Sequence, residues 1–269
     1  MSEDAAATSG RTYTPDAEHA FPDERVNRVL EFVENDPEIE AYLDAQNVNP
    51  VTRMRYNDHG AKHVSIVRHR ALCLYDLLKE GDVRFNGAND QNLEEADEAV
   101  IIALAATLHD IGHVVHREDH PYYSIPLAAD VLDRILPEFY DLGDRIRVKG
   151  EVLHAILCHH TPEQPLTLEA GVLRVSDALD MERGRSRNPY DRGGRGINTV
   201  SSQAIRNVTL ESGEGVPVLV EIEMTNAAGV YQVDSLLKAK LDGSGLEEFV
   251  RIVALNTTEN DRIVEQIEL

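Results

Sequence analysis

The chain has 269 residues, 42% of them apolar, enough for one large domain or for a medium domain beside a small one. Acidic residues outnumber basic ones 48 to 26, a formal charge of −22, which excludes the basic face that non-specific nucleic-acid binding requires. Only five of the basic residues are lysines (Lys62, Lys79, Lys149, Lys238 and Lys240), and acid excess with scarce lysine suits a surface hydrated in high salt, where a Debye length of about 3 Å screens self-repulsion. A halophilic, cytoplasmic protein is the expectation.

The first 20 residues are acidic and rich in small side chains, unlike a signal or transit peptide, and read as a disordered tail. Residues 22–35 carry Val26, Val29, Leu30 and Val33 at helical spacing, and Pro37 suits the first turn of a second short helix to Leu43. Residues 47–58 read as irregular, with a turn at Asn49-Pro50. A stripe from Val64 to Leu78 predicts a helix over 61–79, closed by Gly81, and Asn86, Gly87 and Asn89 predict a polar loop. The run from Leu93 to Leu108 is too long and too alanine-rich for a strand and reads as a central buried helix. Helices over about 122–136, 144–160 and 167–183 follow, then a loop at 184–198 rich in Arg and Gly. Beyond it come strands at 205–210 and 216–224, helical spacing over 228–241, and a strand over 249–255. No apolar run is long enough to span a bilayer, so no membrane partner is expected. The expected fold is therefore mainly α: a helical domain over 21–190, a linker over 191–200, a small β-β-α-β domain over 201–257 and a C-terminal segment over 258–269. Cys73 and Cys158 sit in apolar helical patterns and read as buried thiols in a reducing cytosol.

All eleven histidines except His19 lie between positions 59 and 160. His59 and His63 are four apart at the start of a helix, so both rings are expected to point the same way. His109-Asp110 closes the most apolar helix, where a carboxylate is costly to bury without a cation. His159-His160 closes another, and Asp177 lies inside the apolar stretch VLRVSDAL. Imidazole and carboxylate suit Mn, Fe, Zn, Ni or Mg. His19, His69, His116 and His154 read as structural or exposed.

In His63, the pair within AATLHDIGH (His109-Asp110) and Asp177 within RVSDALD, residues 56–190 resemble the HD-domain metal-dependent phosphohydrolases. His120-Pro121, His159-His160, Asp177-Ala-Leu-Asp180 and Arg187-Asn-Pro-Tyr190, with His59 four residues before His63, are similar to the multi-metal branch that includes the HD-GYP phosphodiesterases. The Gly-Tyr-Pro block of that branch is replaced by TPEQPL, so the resemblance does not carry cyclic-di-GMP over as a substrate; His113 stands where a lysine is expected.

The resemblance implies an HD-type helical bundle holding two or three divalent ions through His59, His63, His109, Asp110, His120, His159, His160 and Asp177. It implies metal-assisted hydrolysis of a phosphate ester, of phosphodiester or nucleotide type, in a small phosphorylated substrate. Asp110 is expected to bridge the ions, between which a water is activated; His113 to protonate the leaving oxygen, contact phosphate or make a hydrogen bond behind the ligands; and Asp180 to orient a ligand imidazole. Lys62, Arg187 and Arg192 are candidate phosphate contacts, the two arginines within a cluster with Arg183, Arg185 and Arg195. Two other classes stay open: a di-iron oxygenase, and a nucleotide- or metabolite-binding regulator whose small domain senses a ligand. A homodimer through the edge of the small sheet is a further expectation.

Overall fold

The computed structural model describes residues 12–13, 23–160, 162–182, 197–256 and 266–268. Helices α1 (Glu24–Glu34) and α2 (Pro37–Ala45) each start at an aspartate. Asp23 accepts from the Arg25 N–H at 2.7 Å, and Asp36 from those of Glu38 and Ile39 at 3.1 and 3.0 Å, satisfying orphan donors of the first turn. Two guanidinium N–H groups of Arg134 donate to Asp36 at 2.6 and 2.9 Å, tying this cap to a helix nearly a hundred residues later.

The helix α5 (Glu95–Leu108) is the centre of the molecule. A capping box of Glu94 and Asp97 opens it, and Arg25 bridges both carboxylates at 2.6 Å. From Val100 to Ala106 every side chain is fully buried, because α1, α3 (Ala61–Glu80), α7 (Leu142–Cys158) and α8 (Leu168–Leu179) cover it on all sides. A helix apolar all round can only be stable in such a place. Cys73 and Cys158 are free and buried, and burial pushes their thiols up to about 12 and about 11.

The expected polar loop after Gly81 is instead a short helix, α4 (Asn86–Gln91). Its polar residues act at its ends: Asn86 Oδ1 accepts from the Leu168 N–H at 3.0 Å, Asn89 donates to the Phe85 carbonyl at 2.6 Å, and Asn92 closes the helix in the left-handed conformation. The stretch read as irregular, 47–58, contains a π-helical turn over Val48–Arg53 whose buried Asn49 donates to the His113 carbonyl at 2.7 Å.

Helix α6 (His120–Ile135) lies between α5 and α7 in the chain, and a small α/β unit comes after α8. A short α9 (Ile197–Ser202) leads into a sheet with strand order β1 (Thr12–Tyr13), β2 (Ile205–Ser212), β3 (Val218–Met224), β4 (Val250–Asn256), β5 (Gln266–Glu268). Only the β3–β4 pair is parallel. Two segments thus join the sheet from outside the expected β-β-α-β core: Thr12–Tyr13 from the stretch read as a tail, and Gln266–Glu268 from the C-terminal segment. The alternation expected for β3 holds, with Val218, Val220, Ile222 and Met224 buried. Between β3 and β4 the chain crosses over through a 3-10 turn (Ala227–Gly229), a π-helical turn (Gln232–Leu237) and α10 (Lys238–Leu241). This crossover packs on α8. The approach is so close that a Cβ at Gly171 would collide with the Ser244 carbonyl, so glycine there sets the small unit against the helix that carries Asp177.

Candidate metal centre

Five segments deliver ionisable side chains to one point beneath a cavity of about 990 Å³. His59 precedes α3 rather than lying on it: the helix starts at Ala61 after Gly60. The turn before it is clamped by side chains, with the His59 N–H donating to Asn47 Oδ1 at 2.8 Å and Gln46 Nε2 donating to the His59 carbonyl. The two histidines do converge, but a side-chain clamp rather than helical spacing aims the first. His63, in the first turn of α3, is 1% exposed.

His109 and Asp110 leave the end of α5 where the chain breaks into a 3-10 turn (Ile111–Val114). Gly112 permits that turn, since a Cβ there would run into the His120 carbonyl and the Ser124 backbone of α6. Ser124 closes the junction, accepting from the Gly112 N–H at 2.8 Å and donating to the His109 carbonyl at 2.7 Å. His120 opens α6, His159 ends α7, and Asp177 and Asp180 end α8.

Asp110 is the hub. Its Oδ2 lies 2.7 Å from His59 Nδ1 and 3.4 Å from the Nε2 atoms of His63 and His109. Its Oδ1 lies 3.2 Å from His120 Nε2, 3.7 Å from His159 Nε2 and 3.7 Å from His113 Nδ1. Asp177 Oδ1 closes the first side, 3.4 Å from His63 Nε2 and 4.0 Å from His109 Nε2. Burial works against ionising Asp110, but the surrounding imidazoles, His109, His113 and His59 foremost, hold its carboxyl well below the usual range.

The imidazole tautomers follow from the outer hydrogen bonds. Nδ1 of His109, His120 and His159 lies 2.9, 2.9 and 2.6 Å from the carbonyls of Ala106, Arg117 and Ile156, and each must carry a proton to make that bond. His63 Nδ1 lies 2.6 Å from Asp180 Oδ2, the carboxylate–imidazole arrangement that orients a metal ligand. Every inward Nε2 is then a bare lone pair in the neutral ring. Yet His63 Nε2 and His109 Nε2 face each other at 3.3 Å, and His120 Nε2 and His159 Nε2 at 3.0 Å. Protonating a ring is disfavoured, since burial lowers His109 and drives His159 well below its ordinary value. Nitrogens brought this close on both sides of one carboxylate are placed as the ligands of a shared cation would be. The separations suit one, because ligands about 2.1 Å from an ion at right angles are about 3 Å apart. The residues present therefore fit divalent metals, in groups such as the buried Asp110–His113–His120 and His63–His109–Asp177, where Asp177 is partly exposed.

Not every expected residue comes in. His160 is exposed; its ring centroid is 5.6 Å from that of His120, at the cavity wall and outside the ligating groups. Lys62 is exposed on α3 and does not line the cavity. Arg183, Arg185, Arg187, Arg192 and Arg195, like His19, lie outside the described residues. His113 is 1% exposed, stacked on His59 at 4.4 Å between centroids, and pushed down to about 2 chiefly by burial. It is a neutral ring beside Asp110, which suits a ligand or hydrogen-bond partner rather than a store for a proton. Sequence reasoning missed Lys240, whose Nζ donates to Asp177 Oδ2 and to the His159 carbonyl, each at 2.7 Å. It missed the rim as well: the half-exposed Tyr56 carries the Arg117 guanidinium 4.0 Å from its ring centroid, near the exposed Tyr122.

The comparisons with known proteins agree with this geometry. The HD domain family profile matches residues 85–182, from just before α4 to the end of α8. An uncharacterized protein of Methanocaldococcus jannaschii is 35% identical over 216 residues, which is 80% of this chain and 83% of that protein. Ribonuclease Y of Desulforudis audaxviator is 33% identical over 93 residues, 34% of this chain but 15% of the ribonuclease. Ribonuclease Y of Thermoanaerobacter pseudethanolicus is 28% identical over 137 residues, half of this chain and 21% of the ribonuclease. With its histidine–aspartate hub, its buried imidazole ring and these relatives, the chain belongs to the HD-domain superfamily.

Proposed function

We propose that the protein is a metal-dependent phosphohydrolase that cleaves a phosphate ester of a small molecule at a centre where Asp110 and the imidazoles around it would hold divalent ions. The closely opposed Nε2 atoms, one pair on each side of the Asp110 carboxylate, carry this reading. Divalent ions held there would supply Lewis acidity, lowering the pKa of bound water and neutralising charge that develops on a phosphoryl group. The chain's own residues do the rest. Asp110 splits its two oxygens between the halves. His59, His63, His109 and Asp177 face one, and His113, His120 and His159 face the other. Asp180 holds the His63 ring in place.

The ribonuclease relatives raise RNA as a substrate. A formal charge of −22 repels a long polyanion, whereas the Tyr56–Arg117 stack at the cavity rim offers a face for a single base. A nucleotide-sized phosphate ester is the better fit. The test is a panel of nitrophenyl phosphate mono- and diesters, cyclic nucleotides and nucleoside triphosphates, assayed with Mn, Ni, Zn or Mg in high salt. Hydrolysis of at least one class that vanishes in Asp110→Ala supports the proposal. Equal turnover in that variant refutes it. Turnover with redox-silent Zn or Mg would also separate hydrolysis from di-iron oxygenation.

A further inference from the structure

Among the described residues lining the cavity, two are basic, Arg117 at the rim and Lys240 beside the ligands. Lys240 comes from α10 of the small unit and is held in a particular way. One N–H goes to Asp177 Oδ2 and one to the carbonyl of His159, so the ammonium sits between the ends of α7 and α8. An ammonium has three N–H donors. The third has no acceptor among the described residues, and the side chain keeps 17% of its surface open where it borders the cavity. The contact also fixes Asp177, occupying Oδ2 while Oδ1 faces His63 and His109.

We propose that Lys240 binds a non-bridging oxygen of the substrate phosphate, so that the small α/β unit is part of the active site rather than a separate sensing module. The ligand class is a tetrahedral phosphate oxyanion, and the inference rests on the phosphohydrolase reading above. A positive point charge at the edge of the ligand cluster suits it: phosphate arrives with negative charge on several oxygens, and a lysine donor strengthens when its acceptor is ionised. The packing of the crossover on α8 gives the placement its rigidity, since glycine at 171 lets the backbone of the two units touch.

The competing possibility is that Lys240 only neutralises Asp177, and metal content separates the two. The manganese-loaded full-length chain is titrated calorimetrically with inorganic phosphate, and metal per chain is measured on the same samples, for wild type, Lys240→Met and Lys240→Arg. The expected result is phosphate affinity weakened about tenfold or more in Lys240→Met, with metal content equal to wild type and affinity largely restored in Lys240→Arg. Unchanged phosphate affinity in Lys240→Met overturns the proposal, as does metal lost in step with phosphate, or wild type that binds no phosphate. Should Lys240→Met fail to fold, Lys240→Arg and Lys240→Gln decide by the same criteria. Phosphate binding is read without turnover. Lys240-dependent binding in a protein that hydrolyses nothing would therefore overturn the hydrolase reading and leave this one standing.

Discussion

The two oxygens of Asp110 look onto unlike surroundings. On the Oδ2 side stand His59, His63, His109 and a second carboxylate, Asp177, with a third, Asp180, hydrogen-bonded behind His63. On the Oδ1 side stand the imidazoles of His113, His120 and His159, the last two with backbone carbonyls behind them. The first half offers a cation formal negative charge, and the second offers mostly neutral lone pairs. Under the two-ion reading proposed above, the difference predicts sites of different strength: the ion on the Oδ2 side is expected to be the tighter, and the Oδ1-side ion the exchangeable one.

The largest effect comes from removing what the halves share. Asp110→Ala is expected to lose both ions and to slow hydrolysis on the order of a thousandfold, about 4 kcal/mol of barrier; metal analysis beside steady-state kinetics checks both. Next come variants that take one half at a time. His120→Ala should retain one ion per chain and lose the first phase of a chelator titration. His63→Ala should lose the tight phase instead. Identical titrations for the two variants would break the comparison.

A subtler change sharpens it. Asp180→Asn removes no ligand, yet it should weaken the tight site about 10- to 100-fold, because a neutral amide supports the His63 imidazole less well than a carboxylate. The weak phase should not move.

The smallest effect lies outside both halves and serves as a control. Glu169 on α8 is fully buried, and its Oε1 accepts from the Gly87 N–H at 2.7 Å. Burial pushes its carboxyl up to about 7, while the Gly87 hydrogen bond pulls the other way. An unfolded glutamate ionises near 4.5. Between those values the fold keeps a proton that the unfolded chain has released, so this group's contribution falls as pH rises through that window. Glu169→Gln should flatten the decline and stabilise the protein at pH 8 by about 1–3 kcal/mol relative to wild type. Thermal melts at pH 5 and pH 8 read this, and metal content should stay unchanged.

Much of this architecture was legible in the sequence because it rests on local pattern. The all-apolar run of α5 could only be a buried helix, and a His-Asp pair at its end had to meet a charge partner. What escaped depended on tertiary contact. Lys240 reads as an ordinary lysine on an amphipathic helix until the crossover docks on α8 and sets it on Asp177. The short α4 has no apolar stripe, since its residues cap rather than pack. His160 follows His159 in sequence but lies beyond the helix cap, so one ring entered the cluster and the other stayed exposed at the cavity wall. Thr12–Tyr13 joined the sheet through backbone pairing, which side-chain patterning does not record.

The most direct test of the central claim is anomalous diffraction from crystals of the full chain grown with manganese. The account predicts two peaks, one against each oxygen of Asp110 and about 3.5–4 Å apart, the first ringed by His63, His109 and Asp177 and the second by His120 and His159. A single peak, or ions that do not touch Asp110, would contradict it.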